Sequence, residues 1–269
     1  RLSPMRTFFR KLLSPTPHRA PTRVPDGRRV YAVGDIHGCA DLFGDIISAI
    51  EADDDARGAA ETTVILLGDL VDRGPDSRGV IDAAREWSRR RAVRILLGNH
   101  EEMFLGSLER DETLRHFLRH GGRETLLSYP IAPDVYSRAT LEELRAIMNE
   151  VIPAEDIAFV QGMEDRIQIG DYVFVHAGVR PGIPLEDQKT SDLRWIRGEF
   201  IDAPENRAFA VVHGHTILES PHVSPLRISL DTGAFSSGLL SAIGLEGTAR
   251  WLIEASAAHG APRVSQRSI

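Results

Sequence analysis

Five short apolar runs in this chain end in the same way, and that repetition limits its fold more than any other feature. Val30-Tyr31-Ala32-Val33 runs into Gly34-Asp35-Ile36-His37-Gly38. Val64 to Leu67 runs into Gly68-Asp69, and Arg94 to Leu97 into Gly98-Asn99-His100-Glu101. Tyr172 to Val175 runs into His176-Ala177-Gly178, and Ala210 to Val212 into His213-Gly214-His215-Thr216. Such runs read as buried strands, and the segments between them read as helices, so the chain is an α/β protein. In α/β sheets, sites gather at the carboxyl ends of strands, where glycine lets backbone approach a ligand. If the five strands share a sheet, Asp35, His37, Asp69, Asn99, His176 and His215 meet along one edge. Asp35 and His37 are two apart and face the same way while the chain is extended.

Each of these residues alone has an ordinary structural use. An Asp after a strand caps helices, Asn99 could shape a turn, and a single His on an apolar strand is more often a core residue than a ligand. Five repeats of one pattern are better explained by a metal site. The set is rich in oxygen and imidazole and lacks thiolate, which suits Mn, Fe or Zn rather than copper or an iron–sulfur cluster. Six ligands can hold two cations if Asp69, which lies between the two groups in the chain, bridges them. A two-metal site positions an attacking hydroxide and stabilises displacement at phosphorus. This reading also explains why Asp69, Asp72 and Arg73 occur together in Gly68–Gly74. Arg73 offers a planar fork to phosphoryl oxygens. A leaving alkoxide needs a proton, which His100 can give, with Asp72 holding its imidazole in the donating orientation.

In order, GDIHG (34–38), GDLVDRG (68–74), GNHE (98–101), HAG (176–178) and HGHT (213–216) resemble the calcineurin-like metallophosphoesterases. Within them the chain resembles the PPP-type serine/threonine protein phosphatases, particularly the compact bacterial and phage-type enzymes. The resemblance implies a β-sandwich flanked by helices, a fold of mixed α/β (α+β) class, and a dinuclear centre commonly activated by Mn. It implies that Asp35, His37 and Asp69 bind one ion, and that Asp69, Asn99, His176 and His215 bind the other. His100 and Asp72 become the acid pair, and Arg73 a phosphate contact. The family's Gly-His-Thr pattern favours His215 over His213 as the last ligand. Bacterial relatives have a similar Trp-x-Arg after HAG, which makes Arg197 the expected second phosphate arginine, with Arg194 and Arg180 as alternatives. Leu230-Asp231-Thr232-Gly233 resembles a late motif in which Asp231 braces the site without touching metal.

Composition narrows the remaining classes. Lys+Arg 32 against Asp+Glu 39 gives a net charge of −7, so no nucleic-acid partner is expected. A single cysteine, Cys39, excludes a disulfide framework and fits a reducing cytoplasm. No run is long and apolar enough for a membrane span. No GxxxxGK[ST] or strand-linked GxGxxG occurs, and none of the six ligands is missing, so neither a nucleotide-binding protein nor an inactive binding module is favoured. Residues 1–29 carry five prolines and eight Arg/Lys against one acid, and read as a flexible basic tail, or a segment contacting a partner or membrane surface. Met5 is a candidate native start. The metallophosphoesterase domain is expected over 30–256, with a mostly helical insert at 102–163 and a C-terminal tail at 257–269. In the insert, Thr140-Leu141-Glu142-Glu143 is a capping box, and Gly121-Gly122-Arg123-Glu124-Thr125-Leu126 resembles a stretch of bacterial relatives.

Two substrates remain: a phosphorylated protein or small phosphomonoester, or diadenosine tetraphosphate cleaved symmetrically by a close bacterial branch. GDIHGC, including Cys39, looks like that branch too. Those nucleotide hydrolases typically have Ala at the place of Asp72 and Asp at the place of Glu101. Asp72 therefore favours a phosphoserine or phosphothreonine substrate, whose alkoxide leaving group needs an oriented acid.

Overall fold

Strict alternation along the central strands decides the architecture, because each strand feeds two different cores. In the computed structural model, which describes residues 20–257 and 263–269, β1 (Arg28–Val33) and β2 (Glu61–Leu66) pair in parallel. Tyr31, Val33, Val64 and Leu66 pack outward with α1 (Ala40–Ala56) and α2 (Ser77–Arg90). Val30, Ala32, Ile65 and Leu67 pack inward against Tyr172, Phe174, Ala210 and Val212 of a second sheet. On that sheet the alternate residues Val173, Val175 and Val211 face a further layer that includes Leu193, Ile196 and Phe200.

The first sheet continues from β2 to β3 (Val93–Ile95), and on its other side from β1 through β9 (Leu239–Glu246) and β10 (Ala249–Ser256) to β11 (Arg263–Ser268). β1, β2 and β3 are parallel; β9, β10 and β11 are antiparallel to their neighbours. The second sheet has the order β4-β5-β6-β8-β7, from β4 (Ile167–Ile169), β5 (Tyr172–Phe174), β6 (Ala210–His213), β7 (His222–Val223) and β8 (Arg227–Ser229). The chain is thus a mixed α/β fold of two packed sheets. The five strands with site-like endings divide between both sheets, not one as the run pattern alone allowed, and their carboxyl ends meet where the sheets face each other.

Two segments expected as tails belong to the fold. Residues 263–268 form β11, paired with β10 from Trp251↔Ser268 to Ser256↔Arg263. At the other end Val24 is fully buried and donates its N–H to Gly247 O at 2.9 Å, and β1 already starts at Arg28. The remainder of the basic segment, residues 1–19, lies outside the described residues.

The insert consists of α3 (Asn99–Ser107), α4 (Asp111–Phe117), a π-type turn (Leu118–Gly122), α5 (Arg123–Ser128), α6 (Pro133–Arg138), α7 (Leu141–Val151) and α8 (Ala154–Gln161). It has its own core around Phe104, Phe117, Leu126 and Met148. The Thr140 hydroxyl accepts the Glu143 N–H while Glu143 accepts the Thr140 N–H, the capping box read from sequence. Among the described residues no helix is long and apolar enough to cross a membrane.

Gly244 on β9 faces Trp251 on β10 so closely that a Cβ would lie 2.1 Å from the indole. The indole cannot step aside cheaply: its Nε1 donates to Asp53 at 2.8 Å, and the Arg57 guanidinium covers its face at 3.5 Å. Gly244→Ala is expected to cost about 1–3 kcal/mol by overpacking. A denaturation midpoint equal to that of the parent would show that the ring is free to move.

Candidate metal centre and phosphate site

The residues after β2 adopt a backbone that side chains normally avoid. Among the described residues, the non-glycine positions with positive φ are His37, Asp69, Asp72, Arg73 and His215. All five were singled out as site residues from the sequence. Such conformations cost of order 1–3 kcal/mol each and persist only where the surroundings fix them. The fixing group is Glu101, fully buried in the first turn of α3. One carboxylate oxygen accepts the N–H groups of Leu70 and Val71 at 2.7 and 3.2 Å. The other accepts those of Asp69 and Gly98 at 2.8 and 3.0 Å. The neighbouring Asp35–His37 loop is tied on by the Ile36 and His37 N–H groups, which both donate to Asp69 O.

On this frame Asp69 turns its two oxygens to different groups. Oδ2 lies 3.5 Å from His37 Nε2 and 3.9 Å from His100 Nε2, whereas Oδ1 lies 3.4 Å from His176 Nε2. Two clusters result, His37–Asp69–His100 and Asp69–His176–His215, each with ligand atoms within 4.8 Å of one another and Asp69 shared. Asn99 joins the second, its Oδ1 2.9 Å from His176 Nε2 and 2.7 Å from His215 Nδ1. Asp35 is set differently: Oδ2 accepts the His215 N–H at 2.9 Å, while buried Oδ1 has no hydrogen-bond partner. Asp231 is also buried, with Oδ1 accepting the Gly233 N–H and Oδ2 unpartnered. His213 belongs to neither cluster; it packs edge-on against Phe200 at 5.1 Å. Its position on β6 has the parity of Val211, away from the site.

The donor set fits divalent cations. His37 and His176 spend their Nδ1–H on the carbonyls of Val71 and Leu67, both at 2.8 Å, so each Nε2 lone pair faces the site. Acceptors therefore converge, with an orphaned Asp35 oxygen among them, and converging acceptors require a cation. The electrostatics reflect the same crowding of buried ionisable groups. Burial works against a charged His176, yet Asp69 raises its pKa above the ordinary value. Burial also pushes Asp69 up, but His176, His100 and His37 more than reverse this and hold it well below the carboxylate range. Burial, reinforced by the charges of Asp231 and Asp69, drives Asp35 well above that range.

Beside the clusters, His100 Nδ1 donates to Asp72 Oδ2 at 2.6 Å. The fully buried Asp72 carboxylate is driven up by burial, against the hydrogen bond from the Thr125 hydroxyl to Oδ1 at 2.6 Å. Burial lowers His100 to about 4, with Asp69 opposing and Arg73 assisting. Arg73 donates from Nη1 to His37 Nε2 at 2.7 Å and from Nη2 to His100 Nε2 at 2.8 Å. Arg197 reaches the same place, its Nη1 3.4 Å from His215 O, without a carboxylate partner among the described residues. The alternatives are engaged elsewhere: Arg180 with Asp192 and Glu199, Arg194 with Asp165 and Glu102.

Three residues of this site carried no assigned role in the sequence reading. Thr125 also accepts the Asp72 N–H at 2.8 Å and bonds Ser77 at 2.9 Å. Its only signal was the Gly-Gly-x-x-Thr-Leu stretch. Glu101 was visible as the last letter of GNHE and as a difference from the nucleotide hydrolases, in neither case with a structural role. Phe235, still 36% exposed, stands edge-on to His37 at 5.4 Å and 5.0 Å from the Arg73 guanidinium, and nothing in its sequence neighbourhood marked it.

With fold and site in view, comparison with known proteins gives a consistent answer. Residues 28–234 match the model of the calcineurin-like phosphoesterase family. The chain is similar to serine/threonine-protein phosphatase 1 of Salmonella typhimurium, 29% identical over 80% of this chain and 90% of that one. It is also similar to a symmetrical bis(5'-nucleosyl)-tetraphosphatase of Acidovorax sp., 33% identical over 59% of this chain and about half, 47%, of that enzyme. Among solved structures, a putative diadenosine tetraphosphatase superposes with a TM-score of 0.58 at 21% identity, over 92% of this chain and 98% of that one. The chain belongs to the calcineurin-like phosphoesterases, enzymes that hydrolyse phosphoesters with divalent metal ions.

Thr125→Val removes both the hydroxyl hydrogen bond to Asp72 and the acceptor for its N–H while keeping the shape. We expect kcat to fall by about 10- to 100-fold, the usual cost of losing such a supporting contact, with bound metal unchanged. Metal analysis beside steady-state kinetics checks this; loss of metal instead would place Thr125 in support of the clusters.

Proposed function

We propose that this phosphoesterase is a phosphomonoesterase acting on phosphoserine and phosphothreonine in proteins, with two Mn ions as its cofactor. Asp35, His37 and Asp69 would hold one ion, and Asp69, Asn99, His176 and His215 the other. The bound ions would supply Lewis-acid stabilisation and water activation at phosphorus. The protein's own residues do the rest. Arg73 and Arg197 bracket the clusters and bind the non-bridging oxygens as charge develops on them. When a substrate phosphoryl group draws the Arg73 guanidinium off His100 Nε2, that nitrogen would be free to carry a proton and give it to the leaving alkoxide. Asp72 fixes the ring through Nδ1 and compensates the imidazolium charge.

The observation that carries this reading is the 2.6 Å contact between His100 and a fully buried Asp72, itself held by Thr125 and Ser77. Burying a carboxylate is costly unless it is paired. A serine or threonine alkoxide is a poor leaving group, and this is the chemistry that rewards an oriented acid. Glu101, the other residue that separates the two branches, contacts only backbone and does not inform on substrate. The second reading, symmetrical cleavage of a dinucleoside tetraphosphate, is favoured by the likeness to proteins of that name. There the leaving group is a nucleotide phosphate that needs less help.

With Mn²⁺, a phosphothreonine peptide is expected to surpass diadenosine tetraphosphate in kcat/KM; the reverse order would select the second reading. His100→Asn is expected to lower kcat on alkyl phosphoesters by roughly 10²–10⁴-fold with metal content retained. An unchanged rate would remove His100 from the acid role.

A further inference from the structure

The insert carries a cluster of cations that no acid among the described residues pairs with. Arg110, Arg115 and Arg119 are exposed on α4 and its flanks, and their side chains make no hydrogen bond or ion pair with the described residues. Arginines elsewhere on and beside the insert are engaged: Arg145 with Asp111, Arg94 with Glu164, Arg138 with Asp134, Arg85 with Asp82 and Asp156. The three free guanidinium groups line a surface cavity of about 460 Å³ together with Glu112, Thr113 and His116. Glu112 is the one acid lining it, against three arginines. In a chain of net charge −7 such a concentration is a local exception. Like charges left together without partners cost stability unless a ligand of opposite sign uses them.

The segment that carries the cluster is tied by its backbone to Arg73. The helical path that carries Arg115 and Arg119 ends at Gly121, whose carbonyl accepts the Arg73 N–H at 3.1 Å. At about 1.5 Å of rise per residue, Arg119 and Arg115 lie about 3 and 9 Å along the axis from that contact. His116 stacks with His120 at 4.1 Å and stands 6.5 Å from the exposed Trp195, two residues before Arg197. An extended peptide advances about 3.3 Å per residue. For a substrate whose phosphate lies on Arg73, side chains two to four residues away are therefore within reach of this cavity.

We propose that Arg110, Arg115 and Arg119 form a docking surface for acidic side chains two to four residues from the phosphorylated residue of a protein substrate. The proposal rests on the phosphoprotein reading above and specifies which phosphoproteins are preferred. The surface selects by charge and touches no reacting atom, so its effect falls on KM and on the salt dependence of association, with kcat preserved.

The test uses the Mn-loaded full chain and two phosphothreonine peptides, one with aspartates two to four residues on either side and one with alanines there. The acidic peptide is expected to have the lower KM, by roughly three- to tenfold at low ionic strength, the scale of exposed charge pairs. Arg115→Ala/Arg119→Ala should erase that difference, and added salt should shrink it in the parent. A small aryl phosphate, too short to reach the cavity, reports whether the variant is folded and metal-loaded. Equal KM for both peptides, or a preference that survives in the double variant, overturns the docking surface while leaving the phosphoprotein reading intact. Hydrolysis of the aryl phosphate but of neither peptide overturns that reading and the docking surface with it. A defect of the double variant confined to diadenosine tetraphosphate would assign the arginines to a polyphosphate chain and overturn the proposal as well.

Discussion

The site depends first on the Glu101 carboxylate. Gly68, Asp69, Asp72 and Arg73 all have positive φ, and a loop of that shape does not hold itself. Four N–H groups converging on one buried carboxylate hold the start of this loop. Burial and the Asp69 charge raise Glu101 to about 7, and the donors Asp69 and Leu70 oppose that rise by favouring the ionised form. Glu101 is also the third residue of α3, directly after Asn99 and His100. One helical turn therefore fixes the amide oxygen beside His176, the imidazole beside Asp72 and the loop that presents Asp69 and Arg73. The distances among these groups are set together, which is what a phosphoryl-transfer site requires of its positioning groups.

The insert is a structural part of the same site. Thr125 is 53 positions from Asp72 in sequence yet supplies a donor to its carboxylate and an acceptor to its N–H. Gly121, with φ of +106°, brings its backbone so close to Arg73 that a Cβ would lie 2.7 Å from the arginine side chain. With Ser77 closing the set, the buried polar atoms of Asp72 are hydrogen-bonded, and a satisfied network of this kind specifies one arrangement.

How much of this was legible in the sequence follows from what each signal measures. The strand endings were readable because an apolar run that stops at glycine and then offers Asp, Asn or His is a local pattern. The division of those strands between two sheets was not, since alternation marks two buried faces without naming the strands that pair. β11, Arg-Val-Ser-Gln-Arg-Ser, has almost no apolar content and lies at a sheet edge, so no core pattern announces it. The choice of His215 over His213 rested on resemblance; the structure adds a reason, because strand parity turns His213 toward Phe200. Thr125 and Phe235 reach the site only through tertiary packing, and a local reading has no access to that.

The division of labour between scaffold and insert bears on how such an enzyme can change substrate. The metal-ligand candidates come from the strand ends of both sheets and the first turn of α3, and none lies deeper in the insert. The insert instead contributes the contacts that orient Asp72, the carbonyl that receives the Arg73 N–H, and the arginine-lined cavity. On the proposed reading, orientation of the acid and selection of the substrate would share one short segment, from Arg110 to Thr125. Because the Arg73 N–H is held by Gly121 O, a substitution that moves the helical path before Gly121 would also move Arg73, and on that reading would couple catalytic rate to substrate preference. Exposed side chains such as Arg115 and Arg119 escape that coupling, because they project from the segment without holding its backbone. If the docking surface holds, they are the positions at which preference could drift while the chemistry stays intact.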